Sequence, residues 1–128
     1  MANNTAIKIN NLKKIYDNKF EALKGIDLNI PEGSFYGLLG PNGAGKTTTI
    51  GAISGLVNYK EGNILIMGYD NIKDYRTTRK LIGLSPQELN FDVFFPIYKV
   101  LEFQAGYYGL SKSKSKERTE LLLNQFGL

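Results

Sequence analysis

Residues Gly40 to Thr48, Gly-Pro-Asn-Gly-Ala-Gly-Lys-Thr-Thr, fit the spacing G-x-x-x-x-G-K-[ST] without a mismatch. The residue types in that pattern suit one task, holding a chain of phosphates. Gly40, Gly43 and Gly45 let the backbone curl and bring its N–H groups up to an anion with no Cβ in the way. Pro41, Asn42 and Ala44 supply the rest of the loop's backbone and count among its nucleotide-contacting residues. The loop N–H groups and the positive end of the helix that follows form an anion site. Lys46 adds a full positive charge for β- and γ-phosphates. The Thr47 hydroxyl is placed to coordinate Mg²⁺, and Thr48 to hydrogen-bond the α-phosphate. Charge-assisted bonds contribute about 1.5–3 kcal/mol each, so a few support micromolar nucleotide binding.

Such a loop works between a strand and a helix. Phe35 to Leu39 reads as a short buried strand, and Lys46 to Leu56 as a helix with Ile50, Ile53 and Leu56 near one face. That context separates the loop from a chance glycine-rich turn. Ahead of it, Ala6 to Tyr16 alternates roughly apolar and polar, and Asp17-Asn18-Lys19 offers turn chemistry. Phe20 to Ile30 is a second strand region, interrupted at Gly25, and Pro31-Glu32-Gly33 turns the chain into the loop strand. Strands this close together predict an antiparallel sheet beside the phosphate site. After the helix, Asn63 to Met67 reads as a strand. Asp70 to Lys80 reads as a short helix with Arg76, Arg79 and Lys80 outward, and Leu81 to Ser85 as a buried strand ending at Pro86-Gln87. Ile97, Val100, Leu101, Ala105 and Tyr108 share a helical face that Gly109 ends. Ser111 to Lys116 reads as a solvated loop with a helix N-cap, and Glu117 to Phe126 as a final helix with Leu121, Leu122 and Leu123 on its apolar side.

The chain has 128 residues, one domain's worth, and its 42% hydrophobic and 22% charged content is that of an ordinary soluble globular protein. Cys is absent, which excludes a disulfide framework and thiolate metal sites. His is absent too, which excludes imidazole acid–base catalysis and imidazole ligation. The net charge of +4 is mild, and no face for nucleic acid stands out. No apolar run approaches the ~20 residues needed to span a bilayer, and the polar start Met-Ala-Asn-Asn-Thr is no signal peptide. An intracellular location is expected.

Four features stand in a fixed order: Tyr16 in the first sheet, Gly25-Ile26-Asp27-Leu28 before Pro31-Glu32-Gly33, the loop itself, and Pro86-Gln87 at the end of a later strand. Together they closely resemble the ATP-binding domain of ABC transporters, from about Ile7 to Leu128. The wording from Gly37 to Gly45 looks most like bacterial exporters of the multidrug or ABC-2 type. The resemblance implies an α/β fold: an N-terminal antiparallel β subdomain (1–33), an incomplete P-loop NTPase core (34–87) and the start of an α-helical subdomain (88–128). It implies ATP or ADP with Mg²⁺ as ligands. Tyr16 matches the aromatic that stacks on adenine, a contact of about 1–3 kcal/mol judged from base–aromatic stacking elsewhere. Tyr36 is a poorer candidate and reads as core. Gln87 matches the glutamine that reaches Mg²⁺ or an ordered water when γ-phosphate is present. In the family, the region of Phe91, Phe94 and Phe95 faces the coupling helices of the permease. As residues, these aromatics need covering by their own subdomain or by a partner, and an exposed Phe94 or Phe95 is expected. The implied partners are a transmembrane permease and a second nucleotide-binding domain in a homodimer, with no nucleic acid. The implied location is the inner face of the cell membrane, held there through the permease.

The sequence contains no Leu-Ser-Gly-Gly-Gln signature, no hydrophobic run ending in Asp-Glu and no switch histidine. It therefore reads as the N-terminal half of a longer ATPase, with no catalytic residue assigned in this chain. Nucleotide binding with little hydrolysis is expected, because the general base and the outer metal carboxylate are missing. A loop strand without its neighbour is expected to self-associate, exchange strands or stay locally disordered. Two alternatives remain. A small P-loop phosphotransferase, such as a nucleotide or metabolite kinase, usually has its loop strand near the N-terminus and needs an Arg-rich lid. Only Arg76, Arg79 and Arg118 are available for one. A nucleotide-gated interaction module without catalysis is the second alternative, and it lies close to the expectation for this chain.

Overall fold

The computed structural model describes residues 4–86 and 94–128. The chain divides into two compact units, Met1–Leu84 and Ser85–Leu128. The first holds β1 (Thr5–Ile15), β2 (Glu21–Pro31), α1 (Lys46–Ser54), β3 (Glu61–Ile66), β4 (Tyr69–Asp70) and α2 (Tyr75–Leu81); the second holds α3 (Ile97–Tyr107) and α4 (Lys112–Phe126).

The sheet runs β2-β1-β3-β4, with every pairing antiparallel. Residues three apart on a regular strand face opposite sides, yet Ile9 and Leu12 are both buried. Asn11 reconciles them. Its φ is 46°, and β1 changes register against β2 between Ile9 and Leu12 and against β3 between Asn10 and Lys13. A bulge of this kind adds a residue, flips the side-chain parity and bends the strand. Both neighbouring strands make room for it with glycine. A Cβ on Gly62 would lie 2.5 Å from the Asn11 carbonyl oxygen, and one on Gly25 would lie 2.7 Å from Asn11 Oδ1. The Asn11 N–H donates to Asp27 Oδ1 at 2.8 Å, so the displaced amide keeps a partner. Ile9, Leu12, Leu23, Ile64 and Ile66 then form one core with Ala52 of α1 and with Tyr59.

Two stretches differ from the strands that the sequence predicts. The third strand of the sheet is β3, which follows α1 and pairs with β1 on the side away from β2, and not the run Phe35 to Leu39. That run has no regular secondary structure, lies outside the sheet and is exposed, with Phe35 and Leu39 open to solvent. Tyr36, read as core, is half exposed. Leu81 to Ser85 is not a buried strand either: Leu81 ends α2, residues 82–85 join no ladder, and Leu84 is exposed. An apolar run becomes a strand through a partner's hydrogen bonds, and none of the described strands reaches these two.

Helix α1 buries Thr49, Gly51 and Ala52, while Ile50 and Leu56 are exposed. The buried stripe is one of small residues because the helix sits close on the sheet and on its own exit loop. A Cβ on Gly51 would fall 2.6 Å from Val57 Cγ2. Gly55 ends the helix at φ 76°, and the Leu56 and Val57 N–H groups donate back to the Gly51 carbonyl. The Arg79 guanidinium donates to the Gly55 carbonyl at 3.3 Å, placing a cation at the negative end of α1.

In the second unit, α4 begins at Lys112, so most of the stretch expected to be a loop is helical. Lys is a good helix former and Ser115 is buried, donating to the Glu102 carbonyl of α3 at 3.1 Å. Lys99 pairs with Glu102 at 2.9 Å, and Phe95 meets Phe103 edge to face at 5.4 Å. Phe94 and Phe95 are both exposed, as expected; Phe91 lies outside the described residues. No described helix is long and apolar enough to cross a membrane.

Candidate functional site

The phosphate-loop motif forms a turn that ends in α1. The Ala44 N–H donates to the Pro41 carbonyl at 3.2 Å, closing the tip that Asn42 and Gly43 occupy. Gly43 and Gly45 have φ of 84° and 82°, a region that side chains rarely adopt. Gly45 is also pressed onto β2: a Cβ there would lie 2.6 Å from Leu23 Cδ2 and 2.7 Å from the Ala22 carbonyl oxygen. The loop is thus seated on the core strand by a residue with no side chain. Ala22 and Leu23, the floor of the site, carry no motif signal, and their apolar character reads as ordinary core.

Helix α1 starts at Lys46 with Gly45 as its N-cap and no side-chain cap. The Thr49 N–H and Oγ1 both donate to the Gly45 carbonyl, at 2.8 and 2.9 Å. The first-turn N–H groups of Lys46, Thr47 and Thr48 have no acceptor among the described residues, as helix geometry requires at an uncapped start. The first turn contains no acidic residue to compensate the positive end of the helix. The Lys46 ammonium folds back across the loop and donates to the carbonyl oxygens of Gly40 and Pro41, at 2.5 and 2.7 Å. The Thr47 side chain is exposed, and its hydroxyl has no hydrogen-bond partner among the described residues. Free amides, an ammonium and a free hydroxyl within one turn suit a polyphosphate with a bound cation.

Tyr16 comes to this loop from the β1–β2 hairpin. Its backbone is fixed on both sides, the N–H donating to Phe20 O and the carbonyl accepting from Lys19 N–H, each at 2.9 Å. Its hydroxyl lies 3.2 Å from Thr48 Oγ1 in a shared hydrogen bond. Residues 32 apart in sequence thus meet, and the ring stands beside the first turn of α1. Lys14, which motif reasoning did not single out, places its ammonium 4.9 Å from the centre of the Tyr16 ring. Gln87 lies outside the described residues.

The family model for the ABC transporter matches residues 23–128. This chain belongs to the ABC transporter family. Among ABC relatives, the linearmycin resistance ATP-binding protein LnrL of Bacillus subtilis is 39% identical over 122 residues, covering 95% of this chain and 39% of LnrL. The daunorubicin/doxorubicin resistance ATP-binding protein DrrA of Streptomyces peucetius is 36% identical over 123 residues, covering 96% of this chain and 37% of DrrA. The chain therefore spans about two fifths of the length of these relatives. A solved ATP-binding subunit of an ABC transporter superposes with a TM-score of 0.79 at 29% identity, over 96% of this chain and 51% of that one. A dimeric, post-hydrolysis structure of the ATP-binding cassette MJ0796 with ADP and Pi gives 0.76 at 27% identity, over 95% of this chain and 57% of that one. The fold is that of the ABC ATPase domain, a mixed α/β architecture with an antiparallel sheet.

Proposed function

We propose that this chain is the nucleotide-binding part of an ABC-type ATPase that drives export across a membrane. The observation that carries the reading is the seat of Gly45 on Ala22 and Leu23, which presents the uncapped start of α1 beside the Lys46 ammonium. In this reading Gly40, Pro41, Asn42, Gly43, Ala44 and Gly45 wrap the phosphates, while Lys46 and Thr48 contact them directly. Thr47, with Gln87, holds Mg²⁺, which supplies positive charge to the phosphate oxygens. Tyr16 stacks on adenine.

Hydrolysis by the chain as given is slight, because it has no hydrophobic strand ending in Asp-Glu to supply a general base. The partners are a transmembrane permease and a second nucleotide-binding domain, and the location is the cytoplasmic membrane face. The drug-resistance relatives support export, and the exposed Phe94 and Phe95 suit a surface that a partner covers. A phosphotransferase is less well supported, since two antiparallel strands precede the loop.

Calorimetric titration with Mg·ATP of wild type, Lys46→Ala and Tyr16→Ala tests the site. Binding by wild type, its loss at Lys46→Ala and lost adenine discrimination at Tyr16→Ala are expected. No heat from folded wild type would remove the reading. A phosphate-release assay tests the second half, and turnover comparable to an intact transporter ATPase would contradict it.

A further inference from the structure

The Tyr16 ring is constrained from three directions. Its backbone is pinned by the hairpin turn, its hydroxyl by Thr48, and one ring face carries the Lys14 ammonium at 4.9 Å. Tyr16 follows the end of β1, and the strand shifts register between Lys14 and Ile15, so this approach is a local feature of the hairpin end. Lys14 as a residue is partly buried. A cation over a phenol ring is attracted to the negative π-face. More than a third of the Tyr16 surface is still open to solvent.

We infer that Lys14 is a positioning residue for the nucleotide base: it braces one face of Tyr16 and leaves the opposite face for the adenine. The inference rests on the nucleotide reading above. Lys14 acts through the ring and does not touch the phosphates, so its effect belongs to the base and not to the polyphosphate tail. Removing the brace frees the ring to turn about its side-chain bonds, and the platform must then be ordered at the moment of binding.

The experiment is calorimetric titration of the full chain with Mg·ATP and, separately, with Mg·tripolyphosphate, which lacks a base. Physiological ionic strength limits bare charge effects to about 8 Å. Lys14→Met keeps the stem and removes the charge, and Lys14→Arg restores a cation. The expected result is a loss of ATP affinity of about two- to fivefold in Lys14→Met, with tripolyphosphate affinity unchanged and ATP affinity recovered in Lys14→Arg. In a Tyr16→Ala background, Lys14→Met should have no further effect. Wild-type ATP affinity in Lys14→Met would overturn the inference, and so would equal losses for both ligands. Tighter ATP binding in Lys14→Met would overturn it as well, since Lys14 would then be masking the face that the base needs. Failure of wild type to bind either ligand would instead defeat the nucleotide reading, and this inference with it.

Discussion

The Lys46 ammonium donates to the Pro41 carbonyl oxygen at 2.7 Å, across the mouth of the loop that both residues belong to. A second donor goes to Gly40 O. An ammonium has three donors, so one is left for an incoming phosphate while the other two keep the loop in shape. Lys46→Ala should therefore weaken Mg·ATP binding by about ten- to hundredfold, the equivalent of one strong charge-assisted bond. Lys46→Arg should rescue little, because the larger planar guanidinium does not fit the place between loop carbonyls and phosphate that a compact ammonium takes. Titration calorimetry on both variants checks this.

Gly45→Ala tests the seat of the loop. The new methyl would meet Leu23 Cδ2 and the Ala22 carbonyl, and the residue would be held at φ 82°. Left-handed strain and overpacking together should cost about 1–3 kcal/mol in urea unfolding. Phosphate affinity should fall alongside stability, because the loop must lift off β2 to make room. Unfolding curves paired with titrations of tripolyphosphate read both effects.

Gly62→Ala should be a pure stability variant. Its Cβ would sit 2.5 Å from Asn11 O and 2.6 Å from Leu12 Cα, which are backbone atoms that cannot swing away. A loss of about 2–4 kcal/mol is expected, larger than for a typical surface change. Nucleotide affinity of the folded fraction should be preserved. Denaturant melts with and without Mg·ATP separate the two readouts.

Acid sensitivity should trace in part to Asp70. Its carboxyl is held below the ordinary value of 3.8, chiefly by the Lys73 N–H and next by the Ile72 N–H. Both bonds are 2.9 Å long and hold the turn that leads from β4 into α2. A depressed folded pKa means that the stabilisation is complete above 3.8 and is lost as pH falls through the lower folded value. Asp70→Asn should lower the melting temperature at neutral pH, and the difference from wild type should shrink as the pH drops below 3.8. Thermal melts across the acid range measure the gap.

What could be read from the residues depended on how local the cause was. The nine residues from Gly40 to Thr48 announce their turn and helix start through glycine, lysine and threonine spacing alone. The span of β1 was legible from alternation, but not the parity change at Asn11, which depends on glycines in two other strands. Phe35 to Leu39 has the composition of a strand, yet pairing is a relation with another segment and composition cannot supply it. Small Thr49 and Ala52, and not the larger Ile50 and Leu56, face the core because close seating on the sheet selects for size over hydrophobicity. Family resemblance pointed Tyr16 at the adenine but not at Thr48, and Lys14 carried no sequence signal, since its approach to Tyr16 depends on the register shift at the end of β1.

Leu39 leads without a break into Gly40, whose carbonyl accepts from the Lys46 ammonium, so the run that pairs with no described strand and the phosphate cup are joined at one peptide. A strand that pairs with that run is coupled to the cup only if the pairing changes the freedom of Gly40 and the loop it opens. By thermodynamic reciprocity, a filled cup must then shift that pairing to the same degree. Nucleotide occupancy and the docking of a neighbouring strand are in that case two readings of a single equilibrium.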